Sequence, residues 1–447
     1  MPKSDVIKAL LSALHFFILT GYGLAQQISS SSEETYIYLH SHPELSGFEI
    51  NTAGFLKNEL RELGFSSIDS LGIHSFAGVF TNGNGPVVMY RRDMDALPIV
   101  EQTGVPFAPG ATVKSDTLIV GMHACGHDLH MTTWLGVAEY LIKNKKLWKG
   151  TAVFLAQSSE ETGQGARAVL ASENFKKLPV PDYQIAFHNT PELSCGTVGF
   201  CDGYSFAAVD MMNITIKGKG GHGAEPSRTI DPVLMAAYMV SELQSIVSRN
   251  LPSNDPAVVT VGAINGGTVG NIIPSQVELK LTIRSYSAES RSKILKRIEE
   301  IGNGIAISAG LDSSLFPEYK LLDMSIPSVY NNPEMGKLLL DVMEANQIPT
   351  VTMPAKMIGE DFGVYGASRS IRSYMLWMGT SPVQEDSCPD PNNCEVLKLH
   401  TADYLPDYKA AIPLSANAMT KALISLFNNR PVPISKGVSP GLKDTKQ

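Results

Sequence analysis

The sequence has no long run of lysine or arginine, no internal repeat and only five cysteines among 447 residues. With a formal net charge of -8 and an isoelectric point of about 5.7, it gives no electrostatic support for a nucleic-acid partner. Beyond the N-terminus no stretch reaches the ~18 consecutive apolar residues of a membrane-spanning helix, which excludes later spans. What is present, 43% hydrophobic and 18% charged residues, is typical of a folded protein of about two domains.

The N-terminus has the layout of a secretion signal. Lys3 and Lys8 precede an apolar run from Ala9 to Thr20, and Gly23-Leu24-Ala25 places small residues at the minus-three and minus-one positions of a cleavage site. We therefore expect residues 1–25 to be a signal peptide and the mature protein to be exported, periplasmic or secreted. An uncleaved membrane anchor is the alternative.

Export changes what the cysteines imply. Cys388 and Cys394 enclose the turn-rich segment PDPNN, which would let a disulfide close easily. Cys195 and Cys201 are separated by GTVGF, and in a strand their Cα atoms would lie ~20 Å apart, too far to pair. Cys125 is left over, and ligation to a metal as thiolate would protect it.

The segment from Gly121 to His130, GMHACGHDLH, concentrates imidazole, thiolate and carboxylate groups. Such density suits a divalent transition metal, and the two-residue spacing of Cys125 and His127 lets both face one ion. A helix-compatible run follows from Met131 to Leu141, so we place the cluster at a strand-to-helix junction. The alternative is a turn with helix-capping histidines and a buried, inert cysteine.

Three short β-rich runs each end in polar residues. They cover 86–90, 151–157 and 183–187 and lead into Arg91-Arg92-Asp93-Met94-Asp95, into Ser158-Ser159-Glu160-Glu161 and into His188. Helical stretches at 131–143 and 164–177 separate them, which predicts a mostly parallel α/β sheet. Such sheets place their sites beyond the carboxyl ends of the strands, so these polar groups are expected to converge.

The pattern changes from 207 to 322. Predicted strands and helices alternate there as β-α-β-β-α-β, the order of a ferredoxin-like unit, with the first helix capped by Asp231-Pro232. We therefore expect a catalytic domain formed by 26–206 and 323–430, with 207–322 inserted as a second domain. The Pro-, Gly- and Lys-rich tail, 431–447, is expected to be disordered.

Adjacent Glu160 and Glu161 suit two different roles, since one carboxylate can bind a metal while its neighbour holds a water as general base. Alone, such a pair is more often part of a solvated loop. His188 and His400 add imidazoles, although either alone is more often a satisfied histidine. With Cys125 and His127 they complete a set of five ligands that suits two ions and a hydrolase.

The glycine pattern from Gly218 to Gly223 matches a dinucleotide-binding motif, but no helix opens at its last glycine. The next clear helix begins only near Asp231. Nucleotide binding is therefore disfavoured, and His222 within this turn is more interesting as a contact for substrate or for an oxyanion.

Six segments, in order along residues 34 to 428, resemble the two-metal amidohydrolase and carboxypeptidase family. That family includes hippurate hydrolases, plant indole-acetyl-amino-acid hydrolases and bacterial N-acyl-amino-acid amidohydrolases. The segments read RRDMDALPIVEQTGVPF, MHACGHDLHMTTWLGVA, QSSEETGQGA, GKGGHGAEP, GGTVGNIIP and LHTADYLPD. The HACGHD and EE elements are specific in combination.

The resemblance implies two divalent metal ions per subunit, zinc or manganese, with cobalt or nickel as alternatives. It also implies a homodimer or higher homo-oligomer formed through the inserted lid domain, in which a histidine reaches the partner's site to steady the oxyanion. Its residues fall as follows: metal ligands Cys125, His127, Glu161, His188 and His400, general base Glu160, oxyanion contact His222, substrate contacts Asn271 and Arg284, and support for His127 from Asp93 and Asp95.

Three departures from the family pattern lie outside the ligand positions. Arg92 stands where a small residue is usual, Ser158-Ser159 replaces Pro-Ala, and the loop from Cys388 to Cys394 is an insertion. The expected function is metal-dependent hydrolysis of the amide bond of small N-acyl or N-aryl-acyl amino acids. The alternatives are an exported dipeptidase or carboxypeptidase of the same family and a non-catalytic, exported metal-binding protein.

Overall fold

The computed structural model describes residues 31–110, 112–114, 117–369, 371–382 and 398–429. Within these residues the chain forms two compact units. The first holds 31–202, 331–353 and the described part of 371–429, and the second holds 203–330 and 354–369. The predicted signal peptide at 1–25, the predicted pair of Cys388 and Cys394 and the predicted tail at 431–447 lie outside the described residues.

Among the described residues, a sheet of eight strands in the order β1-β2-β6-β3-β7-β18-β8-β17 runs through the first unit. Its inner neighbours β6, β3, β7 and β18 pair in parallel, whereas β1 and β2 are antiparallel to their neighbours. The prediction of a mostly parallel sheet is therefore confirmed. The strands are Ser66–Ile68 (β1), Phe76–Asn82 (β2), Val87–Asp93 (β3), Gly150–Gln157 (β6), Tyr183–Ser194 (β7), Val198–Phe200 (β8), Thr350–Thr352 (β17) and Arg372–Ser381 (β18).

Helices cover this sheet and bury its apolar residues in one core. The last helix is long and apolar enough to cross a membrane by length and composition, but 61% of its most apolar window is buried inside the protein. It packs against the helix that follows the cysteine-histidine motif. The helices are Ser31–Ser41 (α1), Ile50–Glu62 (α2), His127–Lys143 (α3), Gly165–Ala171 (α4), Pro333–Ala345 (α7) and Tyr408–Asn428 (α9).

The second unit contains an antiparallel sheet in the order β12-β14-β10-β15, with both long helices connecting its strands. This chain order and strand order are those of a ferredoxin-like βαββαβ unit, as predicted. Asp231 caps the first helix by accepting the N–H groups of Val233 and Leu234, and Pro232 occupies the first turn. The elements are Ala208–Lys217 (β10), Pro232–Ser245 (α5), Val258–Asn265 (β12), Gln276–Ser285 (β14), Ala288–Ser308 (α6) and Glu318–Leu321 (β15).

Short elements complete the described chain. A helix, Gly363–Arg369 (α8), belongs to the second unit. The described residues also form three two-stranded sheets: Thr112–Lys114 (β4) with Thr117–Ile119 (β5), Gly203–Phe206 (β9) with Val329–Asn331 (β16), and Gly221–His222 (β11) with Ile272–Ile273 (β13).

Several predicted boundaries were wrong for identifiable reasons. The helix predicted at 164–177 ends at Ala171 and continues only as a 3-10 turn. The helix predicted to begin at Met131 begins at His127, because the motif itself forms its first turn. Strand β2 was not predicted. It contains Gly78, where a Cβ would lie too close to Cδ1 of Leu60 of α2 and one of the two would have to shift.

Candidate metal centre

The carboxyl ends of β3 and β6 lie side by side, because the two strands are parallel and Asp93 pairs with Gln157. Glu160 and Glu161 follow β6 after two serines. His188 was predicted to come after a strand, but β7 continues through it to Ser194 and pairs it with Trp377 of β18. The sheet therefore delivers its polar side chains to one edge, as expected of parallel strands.

Gly126 forms the turn between Cys125 and His127. Its φ of 78° is in the left-handed region, and a Cβ there would lie 2.7 Å from the side-chain nitrogen of Asn189. Glycine is the residue that meets both demands. Because of this turn, the thiol of Cys125 and the imidazole of His127 lie on the same side of the N-terminus of α3.

The structure brings Cys125, His188, His400 and Glu161 together. The Sγ of Cys125 lies 3.4 Å from Nε2 of His188 and 3.3 Å from Nε2 of His400. Nε2 of His400 is also 3.3 Å from Oε1 of Glu161. His400 adopts a φ of 64°, unusual for a residue with a side chain, and its N–H donates to the carbonyl of Ala124.

His127 lies on the opposite side of the same cluster. Its Nε2 is 4.0 Å from Oε2 of Glu160 and 4.0 Å from Oε1 of Glu161. The donor atoms of Cys125, His127 and His188 lie within 4.8 Å of one another. All five predicted ligands and Glu160 therefore occupy one site in the first unit.

Hydrogen bonds fix which ring nitrogen each buried histidine presents. Nδ1 of His127 lies 2.8 Å from the carbonyl oxygen of Asp95, and Nδ1 of His188 lies 2.7 Å from that of Asn189. A carbonyl oxygen only accepts, so both Nδ1 atoms must donate. Each ring therefore turns its Nε2 toward the cluster, the nitrogen that would bind a metal once deprotonated.

The donor set fits divalent metal ions. Nε2 of His127 is buried and has no hydrogen-bond partner among the described residues, which is costly unless a cation binds there. Although burial favours neutral imidazole, Asp93 and Asp95 raise the pKa of His127 to about 10. The carboxylates thus favour positive charge at this position, and thiolate, imidazole and carboxylate together suit transition metals.

Burial, followed by the carboxylates of Glu161 and Glu160, raises the pKa of the Cys125 thiol well above its ordinary value. A metal ion reverses this preference, because it binds the thiolate directly. Cys125 and Cys195 are buried free thiols in the described part of the chain, and Cys201 is also buried.

Asp95 and Asp93 lie in different surroundings. Oδ1 of Asp95 is 3.3 Å from Nδ1 of His127, and its Oδ2 accepts the N–H of Glu161 at 2.9 Å. Asp93, which was expected to support His127, lies 3.9 Å from its Nε2 and also bonds Nδ1 of His130 at 2.7 Å. The reason is helical geometry, since His130 lies one turn after His127 on the face turned toward β3.

His130 was missed as a site residue. Its Nε2 accepts the N–H of Asn189 at 3.1 Å, and the Asn189 amide in turn donates to the hydroxyl of Tyr404 at 2.5 Å. Burial lowers the pKa of His130 to about 4, so the ring is neutral and orients groups rather than carrying charge. The HxxH spacing within the motif was the available signal.

Arg92, one of the departures from the family pattern, is fully buried in the first unit. Its guanidinium lies over the rings of Tyr90 and Phe187, 4.5 and 4.1 Å from their centroids, and donates to the carbonyl of Phe187 at 2.7 Å. Phe187 precedes His188, so Arg92 anchors the strand that carries this imidazole.

The predicted lid residues lie in the second unit. Paired strands β11 and β13 bring His222 beside Asn271, whose carbonyl accepts the N–H of Gly223 at 2.8 Å. The exposed His222 accepts the N–H of Ala224 through Nδ1 at 3.0 Å. Arg284 is half-buried near the far end of β14, so the structure does not place it with the other two.

Comparison with known proteins agrees with this geometry. The model of peptidase family M20/M25/M40 matches residues 89–401. The chain is 36% identical over 349 residues to an N-acetylcysteine deacetylase of Bacillus subtilis (strain 168), covering 78% of this chain and 87% of that protein. It is 36% identical over 389 residues to an N-acetyldiaminopimelate deacetylase of Bacillus pumilus (strain SAFR-032), covering 86% and 94%.

Among solved structures, the YXEP protein of Bacillus subtilis, described as a dinuclear metal-binding peptidase from the M20 family, is similar throughout. It gives a TM-score of 0.74 at 28% identity and covers 91% of this chain and 99% of that one. Because the family model spans most of the chain and the relatives align over most of their own length, this chain belongs to peptidase family M20/M25/M40 and is a metal-dependent amidohydrolase.

Proposed function

We propose that this enzyme hydrolyses the amide bond of N-acyl amino acids and releases a carboxylic acid and a free amino acid. The observation that carries the proposal is the convergence of five potential metal ligands beside a further carboxylate, Glu160, in one cluster. The names of the two curated relatives, both deacetylases of N-acetylated amino acids, support the substrate class.

Two divalent ions, zinc or manganese, would be held by Cys125, His127, Glu161, His188 and His400. When bound, such ions would polarise the substrate carbonyl and lower the pKa of water. Both metals accept a mixture of sulfur, nitrogen and oxygen ligands, and zinc suits the thiolate better.

Glu160 is assigned the role of general base and acid. Its side chain is 9% exposed, so it faces the cluster yet can be reached by water. It would take a proton as a water oxygen bonds to the carbonyl carbon. It would then give that proton to the amine nitrogen as the C–N bond breaks. The proton is therefore returned and Glu160 ends each cycle ionised.

The residues of the second unit are proposed to recognise the substrate. His222 is exposed and has a ring nitrogen available beyond its bond to Ala224, so it suits an oxyanion contact supplied to a second subunit. Asn271 and Arg284 would bind the carbonyl and carboxylate of the substrate. Export and homodimerisation through the second unit remain predictions made from the sequence.

The decisive experiment measures metal content of the purified protein together with hydrolysis of acetyl, benzoyl, indole-acetyl and long-chain N-acyl amino acids beside plain dipeptides. We expect about two ions per chain and release of free amino acid from one acyl series. The peptidase description of the solved relative favours peptides as the second candidate, and a requirement for a free α-amino group would identify it.

Glu160→Gln is the matched variant for the chemical role. Gln has nearly the same shape as Glu, but its amide does not take up a proton at neutral pH. We therefore expect kcat to fall by at least ~10²-fold while metal content stays that of the wild type. Substantial remaining activity in this variant would refute the assignment of the base.

A further inference from the structure

Glu49 is a buried carboxylate that the proposed mechanism does not use. It stands at the N-cap position of α2, yet its side chain makes no hydrogen bond to that helix. Two N–H groups of the first helical turn, those of Asn51 and Thr52, bond to Glu44 instead, at 3.2 and 2.8 Å. The carboxylate of Glu49 therefore has another function.

Its partner is the turn that carries the catalytic carboxylates. Oε1 of Glu49 accepts the N–H of Ser159 at 2.7 Å, and Ser159 directly precedes Glu160. Ser159 has a φ of 58°, in the left-handed region that a residue with a side chain adopts only when its surroundings enforce it.

The bonds around Ser159 show how this conformation is enforced. Its carbonyl accepts the N–H of Gly165 at 3.0 Å while its own N–H is held by Glu49. Because the N–H and the carbonyl of Ser159 are both held by hydrogen bonds, its φ and ψ angles are constrained. The peptide on the other side of Glu160 is held by Asp95, which accepts the N–H of Glu161 at 2.9 Å.

The same short segment also reaches Asp95. The hydroxyl of Ser46 donates to Oδ2 of Asp95 at 2.7 Å, so residues 46–49 contain one support of the carboxylate turn, Glu49, and contact the other, Asp95. We propose that Glu49 is a positioning residue that clamps the Ser159 turn and thereby holds Glu160 and Glu161 in place. This inference rests on the proposed function, in which those two carboxylates act as base and ligand.

The clamp requires an acceptor oxygen at the correct reach. Burial, followed by the charge of Asp95, raises the pKa of Glu49 to about 7, so the neutral carboxyl is populated beside the carboxylate at neutral pH. Glu49→Gln keeps the chain length and a carbonyl acceptor. Glu49→Asp keeps the carboxylate but shortens its reach by one methylene. Comparing these two variants separates the effect of side-chain length from the effect of charge.

We would measure kcat and KM of both variants at saturating metal with the best N-acyl amino acid. Glu49→Asp is expected to lose at least ~10-fold in kcat, with KM within about twofold, because a small misplacement of a catalytic group lowers kcat strongly. Glu49→Gln is expected to stay within about threefold of the wild type. Three results would overturn the proposal: an equal loss of kcat in both variants, a kcat of Glu49→Asp equal to that of the wild type, or an effect on KM alone.

Glu44→Asp is the control from the same segment. It shortens the carboxylate that caps α2 but leaves the bond between Glu49 and Ser159 intact. It should lower the melting temperature without changing kcat by more than about twofold. A loss of kcat as large as that of Glu49→Asp would assign the effect to the integrity of the segment and overturn the proposal.

Hydrogen exchange of peptides covering 157–165 supplies a readout that does not require activity. The Ser159 amide should exchange at least ~10-fold faster in Glu49→Asp than in the wild type or Glu49→Gln. Equal exchange in all three proteins would overturn the clamp. If the wild type hydrolyses no N-acyl amino acid, the proposed function fails, and the exchange result still decides the clamp.

Discussion

Replacing Gly126 with alanine tests how the metal-binding motif is built. The added Cβ meets the Asn189 amide at 2.7 Å, and this amide is held in place because its nitrogen donates to the hydroxyl of Tyr404. The left-handed backbone costs alanine ~1–2 kcal/mol, and overpacking a buried site adds ~1–3 kcal/mol. We therefore expect Gly126→Ala to destabilise the protein by ~2–5 kcal/mol.

Gly104→Ala is the matched control. Gly104 lies in the same unit with a φ of 74°, and no heavy atom lies within 4 Å of a Cβ built there. It should lose only the backbone part, ~1–2 kcal/mol. Urea unfolding of the metal-free proteins, followed by tryptophan fluorescence, measures the difference without interference from bound metal.

Activity gives the second measurement for Gly126→Ala. A shift of ~1 Å between Cys125 and His127 should lower kcat by ~10²-fold, whereas Gly104→Ala should remain near wild type. If the two variants unfold at the same urea concentration, the contact with Asn189 does not constrain the turn, and our account of the motif is wrong.

Three further predictions follow from the same cluster and its surroundings. A strong chelator should abolish activity and lower the melting temperature, and zinc or manganese should restore both; a melting temperature that does not respond would contradict the assigned ligands. His130→Leu should weaken metal binding ~10–100-fold in a chelator competition, since it removes the group that orients a buried carboxylate and amide; unchanged affinity would refute this role. Although burial favours its neutral form, bonds to Asp128 and Glu101 raise the pKa of His40 from 6.5 to about 9. This stabilisation is complete below about pH 6.5 and is lost as the pH rises through about 9. The wild type should thus lose at most roughly 3 kcal/mol more than His40→Gln across that range, and equal pH slopes would contradict the account.

Much of the fold follows from local patterns. The strands at 86–90, 151–157 and 183–187 were predicted because apolar, β-branched runs of that length have few alternatives. Asp231-Pro232 marked the start of α5 because a capping carboxylate and a proline are both favoured at a helix N-terminus. Boundaries were less accurate. The extension of β7 beyond His188 depends on pairing with β18, which lies far away in the sequence.

Contacts between distant residues could not be predicted from local patterns. Nothing near Asp93 in sequence indicates that it bonds His130, and nothing near Glu49 indicates that it bonds Ser159. Buried Arg92 looked like a departure from the family pattern. Its position between two aromatic rings became clear only when β3 and β7 were seen side by side.

By itself, the sequence determined which chemistry is available. The motif with Cys125 and His127, the pair Glu160 and Glu161, and the parallel-strand pattern were sufficient to predict a metal-dependent hydrolase, because donor types and strand periodicity are local properties. The tertiary structure decided which nitrogen each histidine presents, which groups are left without a partner and which buried residues hold the donors in place. Those features depend on hydrogen bonds and packing between segments that are far apart in the chain, and only folding brings these segments together.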